Sequence, residues 1–322
     1  MELHLPTTDE ARAGLRAVKT VLTLEAPLNP IELKLIAAAQ RHVLRSDVDI
    51  DALRPVTPAE LREAVTRPEI RAQILTGIVV ATFSSGDARP AQLETIEAYR
   101  AALDVELPEL DDLRLLVERR LTLMRFDIIR RMYIGEGLAK IWRSEGVRGL
   151  VSRLAVFRGW SEDPALAARY RALRQLPEGT LGRELVEHFR RGGFALPGER
   201  FGAPEMIVVH DMAHVLSGYG TDPAGELQVA AFTAGFRKRE QSLPILMFVI
   251  AQFDLGIPMV PVAAPELGNL DADAFLAAFV RGAKMTVDLF EDWDMWAVID
   301  QPVSELRRRY GIERGPASTR SA

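Results

Sequence analysis

Apolar positions recur every three to four residues through the first part of the chain. Leu15, Val18 and Leu22 share one helical face, and Leu33, Ile36 and Ala37 are read as another. Pro27, Pro30, Pro55, Pro58, Pro68 and Pro90 fall between such runs. Pro58-Ala59-Glu60 and Pro90-Ala91-Gln92 have the form of first helical turns, where the missing proline N–H costs nothing. Leu113 to Met132 reads as one long amphipathic helix rich in arginine (Arg119, Arg120, Arg125, Arg130, Arg131). No segment shows the sustained alternation of a strand. The pattern predicts a helical first part, with a domain boundary in the glycine-rich bridge that follows. Residues 136–160 are a linker or bridging helix among Gly135, Gly137, Gly146, Gly149 and Gly159, and 314–322 are a disordered tail.

The second half continues in helical period. Leu181 to Arg191 has an apolar face of Leu185 and Phe189 and carries His188. Met206 to Leu216 reads as a buried helix begun after Pro204, and Glu226 to Phe236 as the next, with Leu227, Ala230, Ala231 and Ala234 along one side. Pro244 to Leu255 and Ala274 to Leu289 follow. The most apolar stretch, Leu243 to Leu255, is interrupted by Gln252 and Asp254 and falls short of the roughly 20 apolar residues that span a bilayer.

Composition narrows the function. The 322 residues carry 40 Lys and Arg against 45 Asp and Glu, a net charge of −5, which disfavours nucleic-acid binding. The absence of cysteine removes disulfides, thiol catalysis, iron–sulfur clusters and thiolate-bound zinc. Met1 to Glu10 is polar and acidic and does not read as a signal peptide. The expected location is the cytoplasm, with peripheral contact at the inner face of the membrane left open.

Candidate chemistry lies at the histidines. There are five in all, and His210 and His214 stand four apart on the buried helix, so their rings share one face. Gly218, Gly220, Pro223 and Gly225 then break the chain, and Glu226 opens the next helix, where its carboxylate can point back across the turn. Two imidazoles with one or two carboxylates suit zinc, iron, manganese or cobalt, and magnesium less naturally. Coordination positions left for water or substrate would make such a site catalytic. Asp211 sits about 100° around the helix from His210, so it is read either as a ligand or as a proton-handling residue at the edge. His188 is read as a supporting or surface residue. The spacing alone also suits two core histidines satisfied by the backbone.

Two resemblances attach to these residues. Glu25-Ala26-Pro27-Leu28-Asn29-Pro30-Ile31-Glu32 and Ser85 to Glu94 each place a turn and a proline before a helix. They resemble the paired units of the helical tellurite-resistance-B-like (TerB-like) domain over about residues 10–130. That family's more acidic turns imply metal binding, for which Glu25, Glu32, Asp87 and Glu94 remain here. Over about residues 150–312 the string His210-Asp211-x-x-His214, with Glu226 after eleven residues, resembles the coenzyme Q (ubiquinone) biosynthesis protein 4 family. The segment Leu176-Pro177-Glu178-Gly179-Thr180-Leu181-Gly182, with Ser217 to Asp222 and Gly256-Ile257-Pro258-Met259, resembles its other landmarks.

That second resemblance implies a divalent metal held by His210, Asp211, His214 and Glu226. It implies removal of the C1 carboxylate from a polyprenylated 4-hydroxybenzoate, with hydroxylation in some members. The implied partners are an isoprenoid lipid, other ubiquinone-biosynthesis proteins and a membrane surface, with a homo-oligomer possible. A prenyl tail would lie along Leu246, Phe248, Val249, Ile250 and Phe253 with Phe275, Phe279 and Val287, positions that also read as core helix, and Arg281 with Lys284 would meet an anionic head group or form a solvated face. The family does not ordinarily carry a TerB-like domain, and the two resemblances together imply an all-α chain of two helical domains, residues 1–135 and 161–313. The rival readings are an HD-type metallophosphohydrolase using His188, His210, Asp211 and a later aspartate such as Asp254, a zincin-like peptidase with Asp211 in place of glutamate, and a non-catalytic prenyl-lipid scaffold.

Overall fold

The computed structural model describes residues 3–237, 242–260, 263–291 and 293–313. The tail expected at 314–322 lies outside them. Among the described residues the fold is all-α, and pairing of extended backbone is limited to isolated bridges such as Thr180 with Pro302. The first half holds α1 (Thr8–Leu22), α2 (Pro30–Ala39), α3 (Pro58–Ala64), α4 (Pro68–Ser84), α5 (Pro90–Leu103), α6 (Leu110–Val117) and α7 (Leu121–Arg131). Then come α8 (Tyr133–Phe157), α9 (Pro164–Ala172), α10 (Leu181–Gly192) and α11 (Glu205–Ser217). The chain continues with α12 (Pro223–Phe236), α13 (Ser242–Phe253), α14 (Ala272–Ala283) and α15 (Val303–Arg309).

The helix starts follow from local chemistry. Pro30, Pro58, Pro68 and Pro90 each occupy the first turn of a helix, as their positions in the sequence suggest. Thr7 with Glu10, Asn29 with Glu32 and Thr57 with Glu60 form reciprocal caps, each pair satisfying two otherwise orphaned N–H groups. Three of the four acidic residues singled out in these two turns have partners within the chain, and Glu94 is exposed. Glu32 caps α2, while Glu25 and Asp87 lie 3.6 and 3.3 Å from the Arg89 guanidinium, which ties the turns together.

Two local readings change, and at 136–160 the bridging helix is the alternative found. The buried face of α2 is Leu35, Ile36 and Ala38, with Leu33 and Ala37 exposed, because the face is set by the burial of the capping Glu32. Leu113 to Met132 is two helices, α6 and α7, separated where Arg119 adopts a left-handed conformation with φ of 57°. The break folds α7 back so that Arg131 meets the carboxylates of Glu109, Asp112 and Asp127. Residues 136–160 are mostly helix, inside α8, kinked at Gly146.

The two halves share one hydrophobic core, in which Leu35, Ile74 and Ile78 belong to the same cluster as Leu246, Phe275 and Phe279. Helix α14 packs on α2 and on α12, and α13 on α4 and α7. The α12–α14 crossing is backbone to backbone. A Cβ on Gly235 would lie 2.1 Å from the Phe279 carbonyl oxygen, and one on Gly282 would lie 2.0 Å from that of Phe232. Glycine is required there by space rather than by dihedral angle.

Gly282→Ala should therefore destabilise the protein by about 2 kcal/mol or more in urea unfolding, since no flexible side chain can yield. Gly77→Ala on α4, whose added Cβ meets nothing within 4 Å, should stabilise it by about 0.5–1 kcal/mol. A second test concerns pH. The hydrogen-bonded Arg67 guanidinium holds the buried Glu10 carboxyl down at about 2, against a desolvation that opposes it. That contribution is whole above about pH 5 and is lost as pH falls through the unfolded value of 4.5 toward about 2. Glu10→Gln should flatten the stability profile across that acid window and leave its shape above pH 6 unchanged.

Candidate metal centre

Helix α11 presents both imidazoles, and its C-terminus is fastened twice. Gly218, at φ of 84°, turns the chain and donates its N–H to the His214 carbonyl at 2.8 Å. Arg307 of α15 donates to the carbonyls of Leu216 and Val215 at 2.8 and 3.0 Å. A cation at this end also suits the helix dipole.

The turn then reverses tightly. A Cβ on Gly225 would stand 2.2 Å from the Gly220 carbonyl oxygen, so the two sides of the turn touch through backbone alone. Asp222 caps α12 by accepting from Gly225 N–H at 2.7 Å, and Pro223 occupies the first turn. Glu226 consequently lies in the first turn of α12, at its electropositive end, facing α11.

His210 Nε2 lies 3.3 Å from Glu226 Oε2, His214 Nε2 lies 3.4 Å from Glu226 Oε1, and the two Nε2 atoms are 3.2 Å apart. His214 Nδ1 lies 3.2 Å from the Tyr219 carbonyl oxygen, which can only accept, so the ring proton belongs on Nδ1. The Nε2 lone pair of His214 then faces a carboxylate oxygen and a second imidazole. Acceptors that converge in this way need a proton or a cation between them. A tetrahedral cation with bonds of about 2.0–2.1 Å requires ligand atoms about 3.3 Å apart, the spacing found here. His210, His214 and Glu226 are the group of three or more His, Asp or Glu among the described residues able to hold a metal ion.

The electrostatics agree. Burial would lower the His210 imidazole, but the hydrogen bond and charge of Glu226, helped by Asp211, raise it overall. Burial would raise Glu226, yet the two imidazoles hold its carboxyl well below the usual range. The His214 side chain is 1% accessible, whereas those of His210 and Glu226 are 22% and 21% accessible, so the site opens on the side of the latter pair.

Asp211 lies outside the three. Its Oδ1 is 3.2 Å from His188 Nε2, and the His188 ring stacks on His214 with centroids 5.2 Å apart. His188 therefore supports the centre from α10, as the supporting reading of that residue has it. Asp254, the example of a later aspartate for the phosphohydrolase reading, accepts from Leu270 N–H. A cleft of about 570 Å³ runs past His188 and His214 and is lined also by Glu184, Arg191 and Arg307. Arg281 and Lys284 do not form an open cationic pair. Arg281 is buried over the rings of Tyr219 and Phe232 and donates to the Glu313 carbonyl, while Lys284 pairs with the Glu313 carboxylate.

Sequence reasoning missed Tyr133, at the start of α8. Its ring lies 4.2 Å from that of Phe290, which in turn stacks on Phe236 of α12. Burial pushes its hydroxyl up, and the charges of Glu226 and Asp211 act in the same direction. No spacing in the sequence marks it.

Protein-family models and curated proteins were both searched with this chain, and neither search gives a match.

Purified wild-type protein should carry about one divalent ion per chain, measured by elemental analysis. His210→Ala and Glu226→Ala should each reduce that several-fold. Asp211→Asn should retain the ion, and its loss there would make Asp211 a fourth ligand.

Proposed function

We propose that this chain is a metal-dependent ring-carboxylate lyase of ubiquinone assembly, acting on a polyprenylated 4-hydroxybenzoate derivative. The observation that carries the proposal is the convergence of Glu226 on the lone pairs of His210 and His214, together with the ordered motifs around it. Zinc, iron, manganese or cobalt would suit two nitrogens and a carboxylate, with magnesium a poorer match.

In the proposed reaction the bond between C1 and the ring carboxylate breaks, carbon dioxide leaves, and C1 takes up a proton. A cation held by His210, His214 and Glu226 would supply a Lewis-acid contact for the carboxylate or phenolate oxygen of the substrate. Asp211 would carry the proton, a role supported by its position beside His210 on α11 and its contact with His188. Tyr133, held neutral by its surroundings, adds a ring and a hydroxyl on the α8 side. In hydroxylating members of the resembling family an oxygen atom enters at C1 as carbon dioxide leaves; with dioxygen as the two-electron oxidant and water as co-reactant, the balance closes on hydrogen peroxide as the second product. The pathway's other enzymes and a membrane surface remain the proposed partners.

A second reading, a prenyl-lipid scaffold without turnover, is favoured by a different feature. Leu246, Leu276 and Phe279, from the two helices expected to hold a tail, line an almost wholly apolar cavity of about 150 Å³ with α1, α2 and α4. None of the metal-centre residues lies in its wall.

Complementation of a strain blocked at the C1 step separates the two. The lyase reading expects wild type to restore the quinone by mass spectrometry and Glu226→Ala to fail. It also expects the metal-loaded protein to release carbon dioxide from a prenylated hydroxybenzoate. Metal-loaded protein that binds the prenylated compound without releasing carbon dioxide would favour the scaffold.

A further inference from the structure

Helix α8 is unlike every other long helix in the molecule. Of its 25 residues only Gly149 is buried. It packs on α7 and, more lightly, on α11. Leu138 and Trp142 are four apart and are 44% and 56% exposed. Val147, Val151 and Leu154 form the same kind of stripe one arm further on and are 58%, 58% and 48% exposed. Just beyond the helix end Trp160 is 73% exposed. The Phe201 ring, 67% exposed, lies against Gly159 and continues the patch. Soluble surfaces seldom present so many large apolar side chains along one stretch of chain.

Charge travels with this row. Residues 138–160 hold Lys140, Arg143, Arg148, Arg153 and Arg158 against the single acid Glu145, a local charge of +4 in a chain of −5. Gly146 divides the helix with φ of 62° and ψ of −155°, a conformation open only to glycine. The two arms on either side are each amphipathic. Neither is apolar enough to cross a bilayer, and no described helix is.

We infer that α8, with Trp160 and Phe201 at its end, is a membrane-surface element that lays its apolar stripe into the headgroup region of an anionic bilayer. Such helices combine an apolar face carrying tryptophan or phenylalanine with flanking lysine and arginine, and lie in the interface plane. Charge decides between this partner and a second copy of the chain. A two-fold contact through the stripe would set two +4 surfaces against each other, whereas an anionic bilayer neutralises them. The helix begins at Tyr133 beside the metal centre, so the bound surface would lie at one end of the same helix that walls the site.

The test is sedimentation of the full chain with vesicles, at about 3:7 phosphatidylglycerol to phosphatidylcholine and with phosphatidylcholine alone. Wild type should pellet with the anionic vesicles, with a blue shift of tryptophan emission, and lose affinity as salt rises. The double variant Val151→Glu, Leu154→Glu should partition about tenfold or more weakly. Arg143→Glu with Arg148→Glu should abolish the preference for anionic lipid. All four positions are exposed, so circular dichroism should be unchanged. Equal pelleting with both vesicle types would overturn the proposal, as would no pelleting with either. A wild-type dimer in light scattering that becomes monomeric in the Val151→Glu, Leu154→Glu variant would overturn it too, in favour of self-association. These readouts do not involve turnover, so this inference and the proposed chemistry fail independently.

Discussion

Two imidazole nitrogens and a carboxylate, all acceptors in their neutral and ionised forms, meet within 3.4 Å at the junction of α11 and α12. Bringing such groups out of water is costly unless positive charge is shared among them. The surrounding structure reads as a means of enforcing that approach. The touching glycines of the reversal leave no room for the helices to splay. The backbone contact of Gly235 and Gly282 fixes α12 from behind. On the far side, His188 and Asp211 satisfy one another and wedge against His214.

The residues of the centre were legible because each rests on a short-range rule. Four-residue spacing puts His210 and His214 on one face, and a glycine-broken turn returns the next carboxylate to it. What Asp211 touches was not legible, since it depends on the rotational phase of α10 against α11. The break between α6 and α7 was hidden for a related reason. Arg119 carries no signature of a left-handed residue, and the turn is held by three carboxylates drawn to Arg131 from two helices. The glycines of residues 136–160 suggested a loose connection, but a glycine within a helix costs only about 1 kcal/mol. Only Gly146 leaves helical geometry.

The division of the chain into halves is a matter of sequence character more than of packing. Core side chains from α2 and α4 interleave with those of α13 and α14. Tyr133, at the start of α8, is close enough to the candidate centre to feel the charges of Glu226 and Asp211. A site assembled this way is sensitive to parts of the chain that share none of its motifs.

Arg307 closes the end of α11 from more than ninety residues downstream. During synthesis the helix bearing both imidazoles leaves the ribosome long before its last carbonyls find this guanidinium. A nascent chain therefore has its nitrogen donors ready while their frame is still open. A cation held there would couple to the docking of α15, each tightening the other once Arg307 has emerged.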